Sequence, residues 1–447
     1  MTNSPNNQIN LRNLVLEMFL ETEQGRKSHI VLKDNLDRHR ELDKQQRAFV
    51  TRLYQGTVER RIEMDYIINQ FSKTPVKKLK PVIREILRMS VYQIKYMDSV
   101  PVSAACNEAV KLAVKRKFAN LKGFVNGVIR NIARNIDHID YPKELLDKLS
   151  VVYSVPRWII EMWNQEYGQE TTEEMLKGLY DDRSTTVRCN PSKAKVEDII
   201  ASLQYKNIKV EKSDLYDNAL FISEYDRLSS LDVFQAGMIT VQDLSSMMAG
   251  IAANPKKGDY IIDVCAAPGG KSLHMAELMD GTGMVEARDL TEYKVNLIKE
   301  NNRRMRYRNI KAVVKDATEP DLESVEKADI VMADLPCSGL GVIGNKSDIK
   351  YNISRQQINE LVQFQRKILK IVSTYVKPGG RLIFSTCTVN KSENQGNVKW
   401  IEENLPFKLV SLEGILPEQL DGKDGCLQIF PGQYGMDGFF ISSFIRE

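Results

Sequence analysis

From residue 11 to about residue 137, apolar side chains recur at spacings of three and four, the period of helices with one buried face. "LRNLVLEMFLETEQ" shows it, and "DKQQRAFVTRLYQGTVERRIEMDYIINQF" sustains it over a longer span. "LKPVIREILRMSVYQIKYM" opens with a proline in its first turn, where a missing N–H costs nothing. "VSAACNEAVKLAVKRKF" follows, with Ser103 as the expected N-cap, and "KGFVNGVIRNIARNI" completes the set. No alternation of period two interrupts these segments, so the pattern predicts an all-helical domain over residues 1–140.

Residues 141–235 mix both periods. "KELLDKLSVVYSVPRWIIEMWNQEYG" predicts two short helices broken at Pro156. "STTVRCNPSK" reads as a short strand halted by a proline, "VEDIIASLQ" as a helix, and "KVEKS" and "ALFIS" as two more strands. The expectation is a small α+β connector. From residue 236 to 447, strands and helices alternate, beginning with "DYIIDVCAAPGGKSLHMAELM". "GMVEARD", "IKAVVKDA", "ADIVMADLP" and "GGRLIFSTC" read as further strands, with long helical runs between them. That alternation predicts a doubly wound α/β domain, a parallel sheet covered on both faces, with ligands bound at the carboxyl ends of its strands.

Composition adds little to the fold but bounds the class. At 447 residues the chain suggests about three domains. With 42% hydrophobic and 27% charged residues it can form large cores. The start, "MTNSPNNQIN", is polar and lacks the apolar stretch of a secretory signal, and no apolar run is long enough to span a bilayer. A cytoplasmic protein is expected, whose six cysteines stay reduced. None of them are spaced C-x-x-C, so no metal site is expected. Charge is more telling. Residues 1–140 hold 25 Lys and Arg against 15 Asp and Glu, a net of +10, while the rest of the chain, 38 against 44, is net −6. A basic segment joined to an acidic one points to a polyanion partner; solvated helix faces are the plainer alternative.

The chemistry-bearing residues gather at strand ends. "DVCAAPGGK" (residues 263–271) ends one strand and opens a helix, and its glycines let a ligand approach the backbone. It is neither G-x-G-x-x-G nor G-x-x-x-x-G-K-[ST], so neither a dinucleotide nor a nucleoside triphosphate mechanism fits. The next three strands end at Asp289, Asp316 and Asp334. Each could be a turn or cap residue. Together with the loop they suggest a rim that binds a nucleoside without a polyphosphate, S-adenosylmethionine.

Two thiols stand at neighbouring strand ends, Cys337 in "ADLPCSGLG" and Cys387 in "IFSTCTVN". They could form a disulfide, half a metal site, two buried small hydrophobes, or two parts of one reaction. The last has a definite use. Carbon 5 of cytosine is a poor nucleophile, and a thiolate adding at carbon 6 makes it enamine-like. A carboxyl group near ring nitrogen 3 would stabilise the adduct, and Asp334, three residues before Cys337, is placed for that. A second thiol could assist release.

"DVCAAPGGK", "DLPCSGLGVIGNKSDIKYN", "FSTCTVNKSENQ" and "DGFFISSF" resemble the motifs of the RsmB/Nop/Sun family of RNA cytosine-5 methyltransferases. "TVRCNP" and "GMITVQDLSSMM" resemble the prelude to that family's catalytic domain, and the helical N-terminus with "VPVSAACNEAVKLAVKR" resembles the RNA-binding NusB fold. The resemblance implies a multidomain chain: a NusB-like helical domain, a small α+β connector and a Rossmann-like methyltransferase domain. It implies Cys387 as the nucleophile on carbon 6 and Cys337 as the thiol that assists release. It implies S-adenosylmethionine bound by Cys265, Ala266, Ala267, Pro268, Gly269, Gly270 and Lys271, with Asp289, Asp316 and Asp334. The fusion implies 16S rRNA as substrate, free or in an early small-subunit intermediate; nothing demands more than a monomer. Two positions depart from the family's pattern: Leu335 stands where alanine is common, and Gly344 and Asn345 stand near the place of a basic pair.

Overall fold

The computed structural model describes residues 9–181 and 184–447, in two compact units. Residues 1–8, and with them most of the polar start, lie outside the described residues. The first unit takes residues up to 173 together with 345–352, and the second takes 174–344 and 353–447. Among the described residues no helix is long and apolar enough to cross a membrane.

The first unit is helical: α1 (Leu11–Glu23), α2 (Ser28–Arg38), α3 (Lys44–Glu59), α4 (Arg61–Phe71), α5 (Pro81–Tyr96), α6 (Val102–Lys115), α7 (Lys122–Asn135), α8 (Leu145–Val152) and α9 (Arg157–Tyr167). Local chemistry sets several starts. Asp43 and Gln46 form a reciprocal capping box on α3, and Pro81 opens α5. Ser103 is not the cap of α6. The helix begins one residue earlier, and the fixed backbone of Pro101 presents its carbonyl to the N–H groups of Ala104 and Ala105 at 2.9 and 3.1 Å. Apolar stripes meet in one core that includes Leu16, Leu53, Met64, Ile67, Ile86 and Ile129. Burying each such side chain stabilises the unit by about 1.5–3 kcal/mol. The break at Pro156 falls where the sequence places it, between α8 and α9.

Residues 345–352 complete this unit. Asp348 Oδ2 accepts the Ser28 N–H at 3.0 Å. The Tyr351 hydroxyl donates to the carbonyls of Glu59 (2.8 Å) and Ser154 (3.2 Å), and the Arg61 guanidinium lies 3.9 Å over its ring.

The chain enters the second unit along α10 (Gln169–Gly178). That unit holds two sheets. The smaller is antiparallel, β1 (Thr185–Cys189), β2 (Lys209–Lys212), β3 (Ala219–Ser223) and β4 (Ile239–Val241), in the order β2-β3-β1-β4, with α11 (Val196–Tyr205) packed against it. Because β4 pairs with β1, this sheet extends past residue 235, and α8 and α9 lie with the helical unit rather than with the sheet.

The larger sheet has β5 (Tyr260–Asp263), β6 (Met284–Asp289), β7 (Ile310–Val314), β8 (Ala328–Asp334), β9 (Val376–Thr386), β10 (Phe407–Leu409), β11 (Cys426–Ile429) and β12 (Phe439–Arg446). Its order is β10-β12-β9-β8-β5-β6-β7, with β11 on β12. β5 to β9 are parallel, as the alternation predicts, but β12 runs antiparallel to β9 and to its other neighbours β10 and β11, so the sheet is mixed rather than wholly parallel. The helices of this unit also include α12 (Asp232–Gln235), α13 (Leu244–Ala253), α14 (Gly270–Leu278), α15 (Glu292–Met305), α17 (Arg355–Val372) and α18 (Gln395–Asn404); α16 (Ile349–Asn352) belongs to the helical unit. Strand order reverses between β5 and β8, and the crevice outside their carboxyl ends is where such sheets hold ligands.

Candidate active site

A cavity opens at that reversal. It is lined by Cys265, Ala266, Ala267, Pro268, Gly270, Lys271 and Asp334 of the expected site, and also by Val241, Gln242, Asp243, Ser246 and Asp263. The loop after β5 turns into α14 through Gly269, whose φ of +104° disfavours any other residue. Gly269 does not itself line the cavity, and a Cβ there would meet Ile298 at 3.3 Å. Asp289, at the end of β6, holds the loop from behind. Its Oδ2 accepts the Ala267 N–H at 3.0 Å, and its Oδ1 pairs with Lys294 at 2.9 Å. Asp316 is apart from the cavity lining. It is exposed beyond β7, and its Oδ1 takes both the N–H and the hydroxyl of Thr318 at 2.8 Å, which holds its carboxyl below the ordinary range. This is the geometry of a turn residue.

Asp263 was not singled out by the sequence, yet it is the most unusual carboxyl of the cavity. Burial pushes it up to about 7, against the opposing hydrogen bond from Ser272 Oγ at 2.6 Å. Its Oδ1 has no hydrogen-bond partner. Asp243 caps α13 and accepts the Asp437 N–H at 3.3 Å; burial and the Asp437 charge push it up to about 6. The acidic wall suits a ligand that carries positive charge.

The two thiols meet at the edge of this site. β8 and β9 are parallel neighbours with Asp334 opposite Ser385, so the loops that leave them lie side by side. Cys337 Sγ and Cys387 Sγ are 3.2 Å apart. A disulfide would need about 2.05 Å, and both are free thiols in hydrogen-bond contact. The Cys337 thiol is pushed well up, first by its bond to Cys387, then by burial, then by the charges of Cys387 and Glu393. Asp334 lies between Lys271 Nζ, 2.8 Å from its Oδ2, and Ser385 Oγ, 2.8 Å from its Oδ1. Burial works against the Lys271 ammonium, but Asp334, Asp263 and Cys387 together raise its affinity for the proton. Cys265 is held as a thiol by burial and by the surrounding aspartates. The loops also approach the last strand closely. A Cβ on Gly341 would fall 2.0 Å from the Gly438 carbonyl oxygen and 2.9 Å from that of Cys387.

Comparison with known proteins agrees with this architecture. Residues 250–445 match the family model described as 16S rRNA methyltransferase RsmB/F, residues 9–134 match the NusB family, and residues 155–227 match a ferredoxin-like domain of RsmF/B-like methyltransferases. A Bacillus subtilis (strain 168) protein described as a probable ribosomal RNA small subunit methyltransferase B is 36% identical over 443 residues, 98% of this chain and 99% of that one. A Synechocystis protein of the same description is 32% identical over 406 residues, covering 89% of this chain and 90% of its own. The crystal structure of PH0851 superposes with a TM-score of 0.83 at 27% identity, over 98% of this chain and 99% of that chain. With this similarity spanning nearly its whole length, the chain belongs to the ribosomal RNA small subunit methyltransferase B family.

Proposed function

We propose that this methyltransferase modifies carbon 5 of a specific cytosine in 16S rRNA through a covalent adduct of Cys387 at carbon 6. S-adenosylmethionine is the cofactor of the family, and it supplies an electrophilic methyl group. The residues of the cavity fit it: the unpartnered Asp263 oxygen and the Asp243 carboxyl suit a cationic ligand, and the loop from Cys265 to Lys271 offers close backbone approach. The three-part division into a helical RNA-binding domain, a small α+β domain and a catalytic domain belongs to the same proposal.

The observation that carries the reading is the thiol pair, 3.2 Å apart beside an Asp334–Lys271 ion pair. The Lys271 ammonium favours an anion on Cys387. The thiolate adds to carbon 6, and the electron pair displaced onto the ring is met at nitrogen 3 by a proton delivered through the Asp334 carboxyl, which returns when the adduct breaks down. Carbon 5 then takes the methyl as the methyl's bond to the sulfonium breaks and a neutral thioether is left. A base supplied by solvent removes the carbon 5 proton, and those electrons re-form the ring double bond as the carbon 6–sulfur bond breaks and the thiolate leaves. Cys337, whose thiol is pushed up, would assist release by protonating the departing sulfur. The target base must leave its stack to reach either sulfur. The net charge of +10 on residues 1–140 would supply salt-dependent phosphate contacts.

The test is methyl transfer from labelled S-adenosylmethionine to unmodified 16S rRNA, with mapping of 5-methylcytosine. One modified cytosine supports chemistry and substrate together. Transfer only to tRNA or large-subunit rRNA keeps the chemistry and discards the substrate. RNA binding with no transfer to any RNA discards the reading in favour of a binding module.

A further inference from the structure

One buried carboxylate ties the Cys337 loop to the Cys387 loop. Glu393 is wholly buried and lies just before α18. Its Oε1 accepts the Ser338 N–H at 2.9 Å and Gln365 Nε2 at 3.0 Å, and its Oε2 accepts the Ser338 hydroxyl. Ser338 Oγ is also 2.7 Å from Thr388 Oγ1. Gln365 Nε2 donates to the Pro336 carbonyl at 2.9 Å as well, and Gln365 Oε1 is fixed by Asn397 Nδ2 at 2.7 Å. Cys337 is therefore held on both sides, at Pro336 and at Ser338, and Ser338 in turn reaches the residue after Cys387. Burial raises the Glu393 carboxyl's hold on its proton, and the three donors that converge on it, the Ser338 hydroxyl, the Ser338 N–H and Gln365 Nε2, oppose that shift and favour the carboxylate.

The charges around the pair are unequal. The Lys271 ammonium acts on Cys387, whereas the charge of Glu393 acts on Cys337. Asp334, whose two oxygens hold Lys271 and Ser385, is a further charged group beside the pair, and Asp263 acts on Lys271. We propose that Glu393 is a positioning residue that sets the division of labour between the thiols, holding Cys337 as the protonated partner and leaving the anion on Cys387. The proposal rests on the reading of Cys387 as nucleophile. It gives the buried carboxylate a use beyond joining two loops: with its charge removed, Cys337 competes for the anion.

The experiment is alkylation of the full-length protein by iodoacetamide, without RNA or cofactor, with the rate at each cysteine followed by mass spectrometry from about pH 6 to 9, a range that spans ordinary and activated thiols. In the unaltered protein Cys387 is expected to react first. In Glu393→Gln, which keeps shape and removes charge, the Cys387 to Cys337 rate ratio is expected to fall about fivefold or more, because only the thiolate reacts. A purely structural role would change both rates alike. If Glu393→Gln fails to fold, Ser338→Ala keeps the charge and the main-chain bond but removes the hydroxyl bridge. It is expected to slow Cys387 about threefold, as the Cys337 thiol no longer supports the neighbouring anion. An unchanged ratio in Glu393→Gln, or an unchanged Cys387 rate in a folded Ser338→Ala when the first variant cannot be measured, overturns the proposal. Faster reaction at Cys337 in the unaltered protein overturns the nucleophile assignment itself, and the Glu393 inference with it.

Discussion

Lys271 Nζ and Asp334 Oδ2 meet at 2.8 Å across the point where the strand order of the large sheet reverses. Lys271 arrives at the start of α14 and Asp334 at the end of β8, so two separate elements converge on one ion pair inside the cavity. Replacing Lys271 by methionine leaves Asp334 without its counter-charge and removes the cation that acts on Cys387. Methyl transfer should fall on the order of a hundredfold, within the span of a positioned charge or proton group. The acid limb of the rate–pH profile should move to higher pH, since thiolate formation loses a neighbouring cation. An unshifted limb in single-turnover assays would remove Lys271 from the activation of the thiol.

The roles of the two sulfurs can be separated with RNA present. Cys337→Ala should accumulate a covalent protein–RNA adduct, because addition proceeds and expulsion is impaired. Cys387→Ala should form none. Denaturing gels with labelled RNA distinguish the two, and the reverse pattern would exchange the roles.

Asp263 gives the cavity a pH dependence. Its carboxyl is pushed up to about 7 by burial, so near neutrality a large share of it still carries a proton. A cationic ligand prefers the ionised form, so cofactor binding should strengthen as pH rises through about 7. Asp263→Asn should flatten that rise in calorimetric titrations, leaving the smaller contribution of Asp243 at about 6. The sign for stability is opposite. Between the ordinary 3.8 and about 7, folded Asp263 keeps a proton that the unfolded chain has lost, so its contribution to stability falls as pH rises across that window.

The sequence was informative where function is local. Cys337, Cys387, Asp334 and the loop from Cys265 to Lys271 stand at strand ends, and strand ends are visible in apolar runs followed by glycine or proline. Asp316 shows the weakness of the same rule, since a local turn through Thr318 also places an aspartate after a strand. Asp263 was missed although it opens the quoted loop, because its character comes from burial against α14, which the local sequence does not show. Glu393 was missed because its partner Ser338 is 55 residues away and only the pairing of β8 with β9 brings them together. The antiparallel run of β12 was hidden for a related reason: "FFISSF" encodes burial on both faces, and burial carries no direction.

Lys350 tests the helical unit in the same way with the opposite charge. It is 1% exposed in α16, and burial, opposed by Glu59 and reinforced by Arg60 and Arg61, lowers its ammonium to about 7 from the ordinary 10.5. Between those values the unfolded chain binds a proton that the folded unit does not. Stability should therefore rise as pH rises from about 7 towards 10.5, and the contribution should be complete above that range. Lys350→Met removes the titrating group while keeping much of the apolar stem. Urea unfolding between about pH 7 and 9.5, followed through the helical signal, should show a flatter stability profile in this variant and its largest gain over the parent at the acid end. Parallel profiles would mean that Lys350 stays charged in the folded unit, with its neighbours supplying the missing solvation.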